Sequence, residues 1–302
     1  MWNLLRFLFF LAISVLVALE GFALEMLKLR PIVSGYGDTM GGGLKQPEGV
    51  GCDGKSTVVV ADTGNGRLVK FIFTGEKLTP GAGIVLPQLT YPIRLQIDSK
   101  GDILALDGKT QRIVRISEAG EFKGYIDATG MANESPVVPR SFRIDKNDNL
   151  YILDVGSGRV LYTDPGGKVL REIGFPKEYG FFSDITEDPA GNLFLLDSVG
   201  RRVYFAAKGS ATISPLKGGL EENANFPVSI AVDHQGTLLV VDQNGGGVVI
   251  LGADGSFRGR QSGIGWKEGL LRYPSQICVN SNGMVFIADR GNNRIQIYST
   301  VQ

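Results

Sequence analysis

Short apolar runs, each closed by an acidic or amide residue, recur along the chain at regular spacing. One set reads VGCD, LQID, FRID, ITED, IAVD and ICVN and ends at Asp53, Asp98, Asp145, Asp188, Asp233 and Asn280. Nine residues after each, a second set (VVVAD, ILALD, LYILD, LFLLD, LLVVD, VFIAD) ends at Asp62, Asp107, Asp154, Asp197, Asp242 and Asp289. Five residues later stand Arg67, Arg112, Arg159, Arg202, Gly247 and Arg294, each opening a third run such as RLVKF or RIQIY. The second-set aspartates are 45, 47, 43, 45 and 47 residues apart, so the core unit keeps its length while the connections vary. Runs this short, with turn residues between them, read as strands. Turns such as Asp98-Ser99-Lys100-Gly101 and Asp188-Pro189-Ala190-Gly191 suit tight hairpins, where Asp accepts from nearby backbone and Gly takes positive φ. Three strands and a more variable fourth, repeated six times, predict an all-β six-bladed β-propeller of four-stranded antiparallel blades.

The sixth unit ends at Gln302 with no residues left for its fourth strand. The segment from Met26 to Val33 precedes the first unit and is the natural substitute. The last blade is therefore expected to be closed by the N-terminal strand of the mature chain, residues 24–36, which covers an otherwise open sheet edge. Before it, Arg6 precedes an apolar run from Phe7 to Leu19, and small residues stand at Gly21 and Ala23. The run is short for a membrane span, so residues 1–23 are expected to be a signal peptide and residues 24–302 one propeller domain. The alternative is an uncleaved anchoring helix. Export predicts a periplasmic or extracellular, monomeric domain with no membrane attachment after cleavage.

Composition narrows the chemistry. Of 302 residues, 31 are Lys or Arg and 31 Asp or Glu, which argues against a nucleic-acid partner. His234 is the one histidine, so multi-histidine zinc sites cannot form. No phosphate-binding loop or GxSxG elbow occurs, and no cofactor is expected. Asp145 to Asn149 faintly echoes a calcium loop but aligns with the other hairpin turns. Cys52 and Cys278 lie in the first strands of units one and six, which meet in the ring. Because Cys52 aligns with Val279, the two fall on opposite strand parities and are expected as separate buried thiols rather than a disulfide.

The aligned units resemble the NHL-repeat family, whose motif is close to P-x-x-I-x-V-D-x-x-G-x-L-x-V-x-D-x-x-N-x-R-V. Pro274 through Ile295 follows it with Asn280 for the first Asp, and Pro227 through Val248 follows it except at the Arg. The resemblance spans roughly residues 43–300. It implies a propeller used as a platform for proteins or nucleic acid. Similar six-bladed propellers include lactonases that hold calcium at the axis, and lyases tied to a histidine-built zinc site.

Six copies of one active site are implausible, so the repeated residues (Asp62, Arg67, Asp107, Arg112, Asp154, Arg159, Asp197, Arg202, Asp242, Asp289, Arg294) are read as blade braces. Departures from the repeat are the candidates for function. Gly247 replaces the Arg of unit five beside Asn244, leaving either a pocket or a gap compensated by a neighbour. Arg94, Arg143, Asp184 and Glu187 place charge near the axis, where it needs a partner, water or a ligand. The connections between units hold Tyr36, Tyr91, Tyr179, Phe181, Phe182, Phe226, Trp266 and Tyr273, a set suited to partner contacts on one loop-rich face. Together these predict an exported, non-catalytic scaffold for a protein, peptide or envelope glycan. The alternative is a metal-dependent (calcium-type) hydrolase, lactonase or lyase with its site at the axis, using Asp184 and Glu187 against the opposing charge of Arg94 and Arg143.

Overall fold

The computed structural model describes residues 27–131, 135–218 and 220–301. The expected signal peptide, residues 1–23, lies outside them. Six four-stranded antiparallel sheets form the six blades. Blade 1 comprises Gly49–Cys52, Thr57–Asp62, Arg67–Thr74 and Lys77–Ile84, and the other blades repeat this order outward from the axis. In blade 6 the strands Ile277–Val279, Val285–Asp289 and Arg294–Val301 are completed by Lys28–Gly35, which pairs antiparallel with the third from Lys28↔Val301 to Gly35↔Ile295. The expected closure is thus present, through eight of the residues proposed for it.

The repeat fixes register as well as topology. Strands two and three of every blade end on the same pair: Asp62↔Arg67, Asp107↔Arg112, Asp154↔Arg159, Asp197↔Arg202, Asp242↔Gly247 and Asp289↔Arg294. The first-set Asp and Asn side chains cap the opposite hairpins. Asp98 Oδ1 accepts from the backbone N–H groups of Lys100 and Asp102, and Asn280 Oδ1 accepts from those of Asn282 and Met284. The calcium-like segment is one of these turns, with Asp145 accepting from Asn147 and Asn149.

The core is a ring of six apolar seams between neighbouring blades. Alternation along each strand serves both seams of a blade. In blade 6, Val285 and Ile287 face blade 5, whereas Phe286 and Ala288 face blade 1 and meet Val58 and Val60 there. Val58 and Val60 occupy the repeat positions of Val285 and Ile287. Residues that meet across a seam therefore have opposite parity.

That rule corrects the expectation for the cysteines. Cys52 and Cys278 form a disulfide, with Cα atoms 6.0 Å apart. Opposite parity, taken as an obstacle, is what face-to-face stacking of neighbouring blades requires. The bond joins the innermost strands of blades 1 and 6, while Lys28–Gly35 closes the same blade at its outer edge.

Candidate functional site

Four residues before each first-set Asp or Asn, the six units place Gly49, Arg94, Ser141, Asp184, Ser229 and Gln276. In blades 2 to 5 the ladder register shifts immediately before this residue, as between Pro92 and Arg94 and between Phe182 and Asp184. A bulge re-aims the side chain that follows it, and these point toward the axis. There they form an open ring of hydrogen bonds that runs from blade 3 through blades 4, 5 and 6 to blades 1 and 2. Asp184 Oδ1 accepts from Ser141 Oγ at 2.5 Å and from its neighbour Ile185 N at 3.0 Å. Its Oδ2 accepts from Ser229 Oγ at 2.6 Å and Ile230 N at 2.9 Å. Ser229 Oγ accepts from Ile277 N, which carries the chain of bonds into blade 6. Gln276 then reaches blades 1 and 2, accepting from Val50 N and Leu95 N and donating to Leu95 O. Arg94 spans the axis and donates to Val228 O of blade 5 at 3.4 Å and to Ile93 O at 3.0 Å.

This ring decides the roles of two candidates. Asp184 is 5% exposed and both its oxygens carry two donors, so it is a brace among blades 3, 4 and 5. Arg94, 4% exposed, is a cross-axis strut. Asp184 has no lone pair left over for a ligand, whereas Arg94 keeps a buried Nε without a protein partner. Among the described residues no group of three or more His, Cys, Asp or Glu is placed to hold a metal ion.

Arg143 and Glu187 lie on the side of the ring nearer the first-to-second-strand hairpins. Arg143 Nη1 reaches Gln96 Oε1 at 3.4 Å, and burial pushes its pKa down against the pull of Glu187 and Asp184. Burial pushes Glu187 up, with Asp145 adding to the shift and Arg143 and the Tyr151 hydroxyl opposing it. On the loop side of the ring, Arg140 is lowered by burial and by Arg94.

The second-set aspartates perform one task in all six blades. Each is buried and accepts from the backbone of the connection entering its blade: Lys45 for Asp62, Thr90 and Tyr91 for Asp107, Val138 for Asp154, Gly180 and Phe181 for Asp197, Asn225 and Phe226 for Asp242, and Arg272 for Asp289. Arg67, Arg159 and Arg294 complete the brace with Nε donating to the Asp carboxylate. Arg112 and Arg202 do not. Arg112 pairs with Asp127 and lies over the Tyr125 ring, and Arg202 pairs with Glu221. In those blades four backbone N–H groups saturate Asp107 and Asp197, which leaves the Arg free to turn outward. In blade 5 the gap at Gly247 is filled from the fourth strand. Arg260 Nη1 donates to Asp242 Oδ2 at 2.8 Å, and a Cβ at Gly247 would stand 3.1 Å from its Nη2. The open pocket beside Asn244 is absent, and Asn244 itself is exposed.

The loop face keeps most of its aromatics in solvent. Trp266 is 67% exposed, Tyr273 49% and Tyr179 42%, and Tyr36, Tyr91 and Phe181 are also exposed. Phe182 is buried between blades and Phe226 packs against the seam of blades 5 and 6, so these two belong to the core. Tyr179 stacks on Phe182 with ring centroids 5.0 Å apart, which fixes its orientation.

Residues 271–298, the sixth unit, match the family model of the NHL repeat. The other five units share its register and its Asp brace. The chain is a six-bladed propeller whose sixth unit is an NHL repeat. A 142-residue stretch, 46% of the chain, is 29% identical to Protein brain tumor of Drosophila melanogaster, and the chain spans 13% of that relative's length. Among solved structures, the virginiamycin B lyase of Staphylococcus aureus superimposes with a TM-score of 0.63 at 17% identity, over 91% of this chain and 100% of the lyase. The gluconolactonase XC5397 of Xanthomonas campestris gives 0.64 at 13% identity, over 84% and 86%. A protein of unknown function from Bacteroides thetaiotaomicron gives 0.66 at 14%, over 91% and 76%. At these identities the likeness of this propeller to all three is one of fold alone.

Of the functional geometry, the axial ring is what the motif reading passed over. Ser141, Ser229 and Gln276 carry no charge and drew no attention singly. Aligning the position four residues before the first-set Asp shows five polar residues and a glycine, a signal visible only across units.

Proposed function

We propose that the protein is an exported, non-catalytic scaffold that holds a protein, peptide or envelope glycan on its loop-rich face. The observation that carries this reading is the contrast between the two places a function could sit. Of the two axial carboxylates that a calcium-type hydrolase would use, Asp184 is saturated by four protein donors and Glu187 feels the positive charge of Arg143, which opposes a cation. The loop face instead leaves Trp266, Tyr273 and Tyr179 exposed, the residue types that anchor partners. The Cys52–Cys278 disulfide suits an oxidising compartment and so supports export. His234, the one histidine, is exposed in a hairpin turn on the face opposite the loops, away from any lyase-like site on the loop side.

Residues 24–302 contain a single tryptophan, Trp266, so its fluorescence reports directly on the proposed face. Titration with envelope glycan fragments or peptides should shift that emission, and binding should be lost in Tyr273→Ala and Tyr179→Ala. Binding unaffected by both substitutions would overturn the assignment of the face. A melt in EDTA and then calcium tests catalytic metal binding. A metal at 100 times its dissociation constant would add about 2.7 kcal/mol, and such a shift would favour the hydrolase or lactonase reading.

A further inference from the structure

On the hairpin side of the axial ring lie two adjoining cavities of about 700 and 460 Å³. Arg143 lines both, and Glu187, from the next blade, lines the second. The two charges sense each other, yet no ion pair within 4.0 Å joins these two described residues. Both keep hydrogen-bonding capacity. Arg143 Nε is buried without a partner, and its one recorded bond, to Gln96, is a long 3.4 Å. Glu187 Oε1 accepts only a long 3.4 Å bond from Tyr151. Thr186 Oγ1, at the repeat position of Arg143, is also buried and unpartnered.

The remaining carboxylates of this vestibule are engaged elsewhere, and in the larger cavity Asp53 accepts from Lys55 and Thr57, Asp98 from Arg115, Glu118 from Lys70 and Asp148 from Ser99. Asp145 accepts from Asn147, Asn149 and the Tyr162 hydroxyl, Asp188 from Asn192, and Asp233 from Gln235 and Thr237. They do not supply the missing partner of Arg143.

We propose that this vestibule binds a small zwitterion, an α-amino acid or a short peptide, with its carboxylate on Arg143 and its ammonium on Glu187. A carboxylate is the planar acceptor that matches the terminal Nη–H groups of a guanidinium. A simple anion placed there would face Glu187, and a simple cation would face Arg143. A molecule carrying both charges meets each with its opposite and adds no net charge to a partly buried site. The volumes fall in the range of small-molecule sites. The vestibule lies on the face opposite the loops, so this inference does not depend on the scaffold reading.

The test uses three probes on the whole protein: alanine, propionate, which lacks its ammonium, and ethylamine, which lacks its carboxylate, with dialanine as the longer zwitterion. Calorimetric titration should detect alanine or dialanine, with propionate and ethylamine at least about tenfold weaker, the loss expected when one charged contact is removed. Glu187→Gln should bind alanine and propionate equally, and Arg143→Gln should abolish both. Trp266→Ala should leave alanine binding unchanged, which separates this site from the loop face. Absence of any zwitterion binding at 50-fold above the millimolar range of weak ligands, about 50 mM, would overturn the proposal. So would equal affinity of the wild type for alanine and propionate, or unchanged binding in a folded Glu187→Gln protein.

Discussion

Replacing both cysteines, Cys52→Ala with Cys278→Ala, should lower stability by an amount set mainly by the unfolded chain. The bond joins residues 226 apart in sequence, so it restricts almost the whole domain when unfolded. The chain-entropy relation gives about 5 kcal/mol for a loop of this length at 25 °C, and measured disulfides commonly deliver 2–4 kcal/mol. At roughly 2 °C per kcal/mol for a domain of this size, the melting temperature should fall by about 4–10 °C. Reduction of the wild type gives the same topology while keeping both sulfurs in the seam beside Phe286 and Ala288. The assay is therefore differential scanning calorimetry of wild type and double variant, each with and without reductant, with free thiols counted. The reduced wild type should melt close to the variant, and the variant should ignore the reductant. A fully reduced wild type with an unchanged melting temperature would refute the reasoning. It would mean that pairing of Lys28–Gly35 with the third strand of blade 6 suffices to hold the ring closed.

Deleting residues 24–36 removes that pairing altogether and should depress the melting temperature of the whole domain in a single transition, read by circular dichroism; an unchanged melt would remove the outer strand from the account of closure. In blade 5, Arg260→Gly should cost about 1–2 kcal/mol by leaving the buried Asp242 carboxylate without its cation. Adding Gly247→Arg should restore most of the loss in denaturant titrations, whereas Gly247→Arg alone should not stabilise, because Arg260 already occupies that space. Asp107 lies below the usual carboxylate range because four backbone N–H donors outweigh the cost of its burial. Its folded pKa is depressed, so its contribution is complete above an unfolded pKa of about 3.9 and is lost as pH falls through the lower folded value. Asp107→Asn should accordingly narrow the difference in melting temperature between pH 5 and pH 3.

The blade count, the strand order, the register of the Asp–Arg ends and the closing strand were all legible in the sequence, because each repeats or is forced by a repeat. What was not legible arises where one unit meets another. The disulfide depended on recognising that stacked blades present opposite parities to each other, a relation between sheets that no single strand pattern contains. The exchange of Arg260 for the missing Arg at position 247 depended on a fourth strand whose sequence varies most. Arg112 and Arg202 kept the motif but left its pairing, because backbone donors had already filled Asp107 and Asp197. At the axis the same logic separates two classes of charge. Asp184 and Arg94 sit in the ring, where both Asp184 oxygens find a neighbour's donors and the Arg94 Nη groups reach backbone carbonyls, although Arg94 Nε is left without a partner. Arg143 sits two residues beyond the ring position of its strand, lines the cavities there, and keeps a buried Nε without a partner. A repeat fold satisfies its polar groups by copying one solution. Arg143 Nε is one of the groups left without a partner, and its side chain lines the vestibule on the hairpin side.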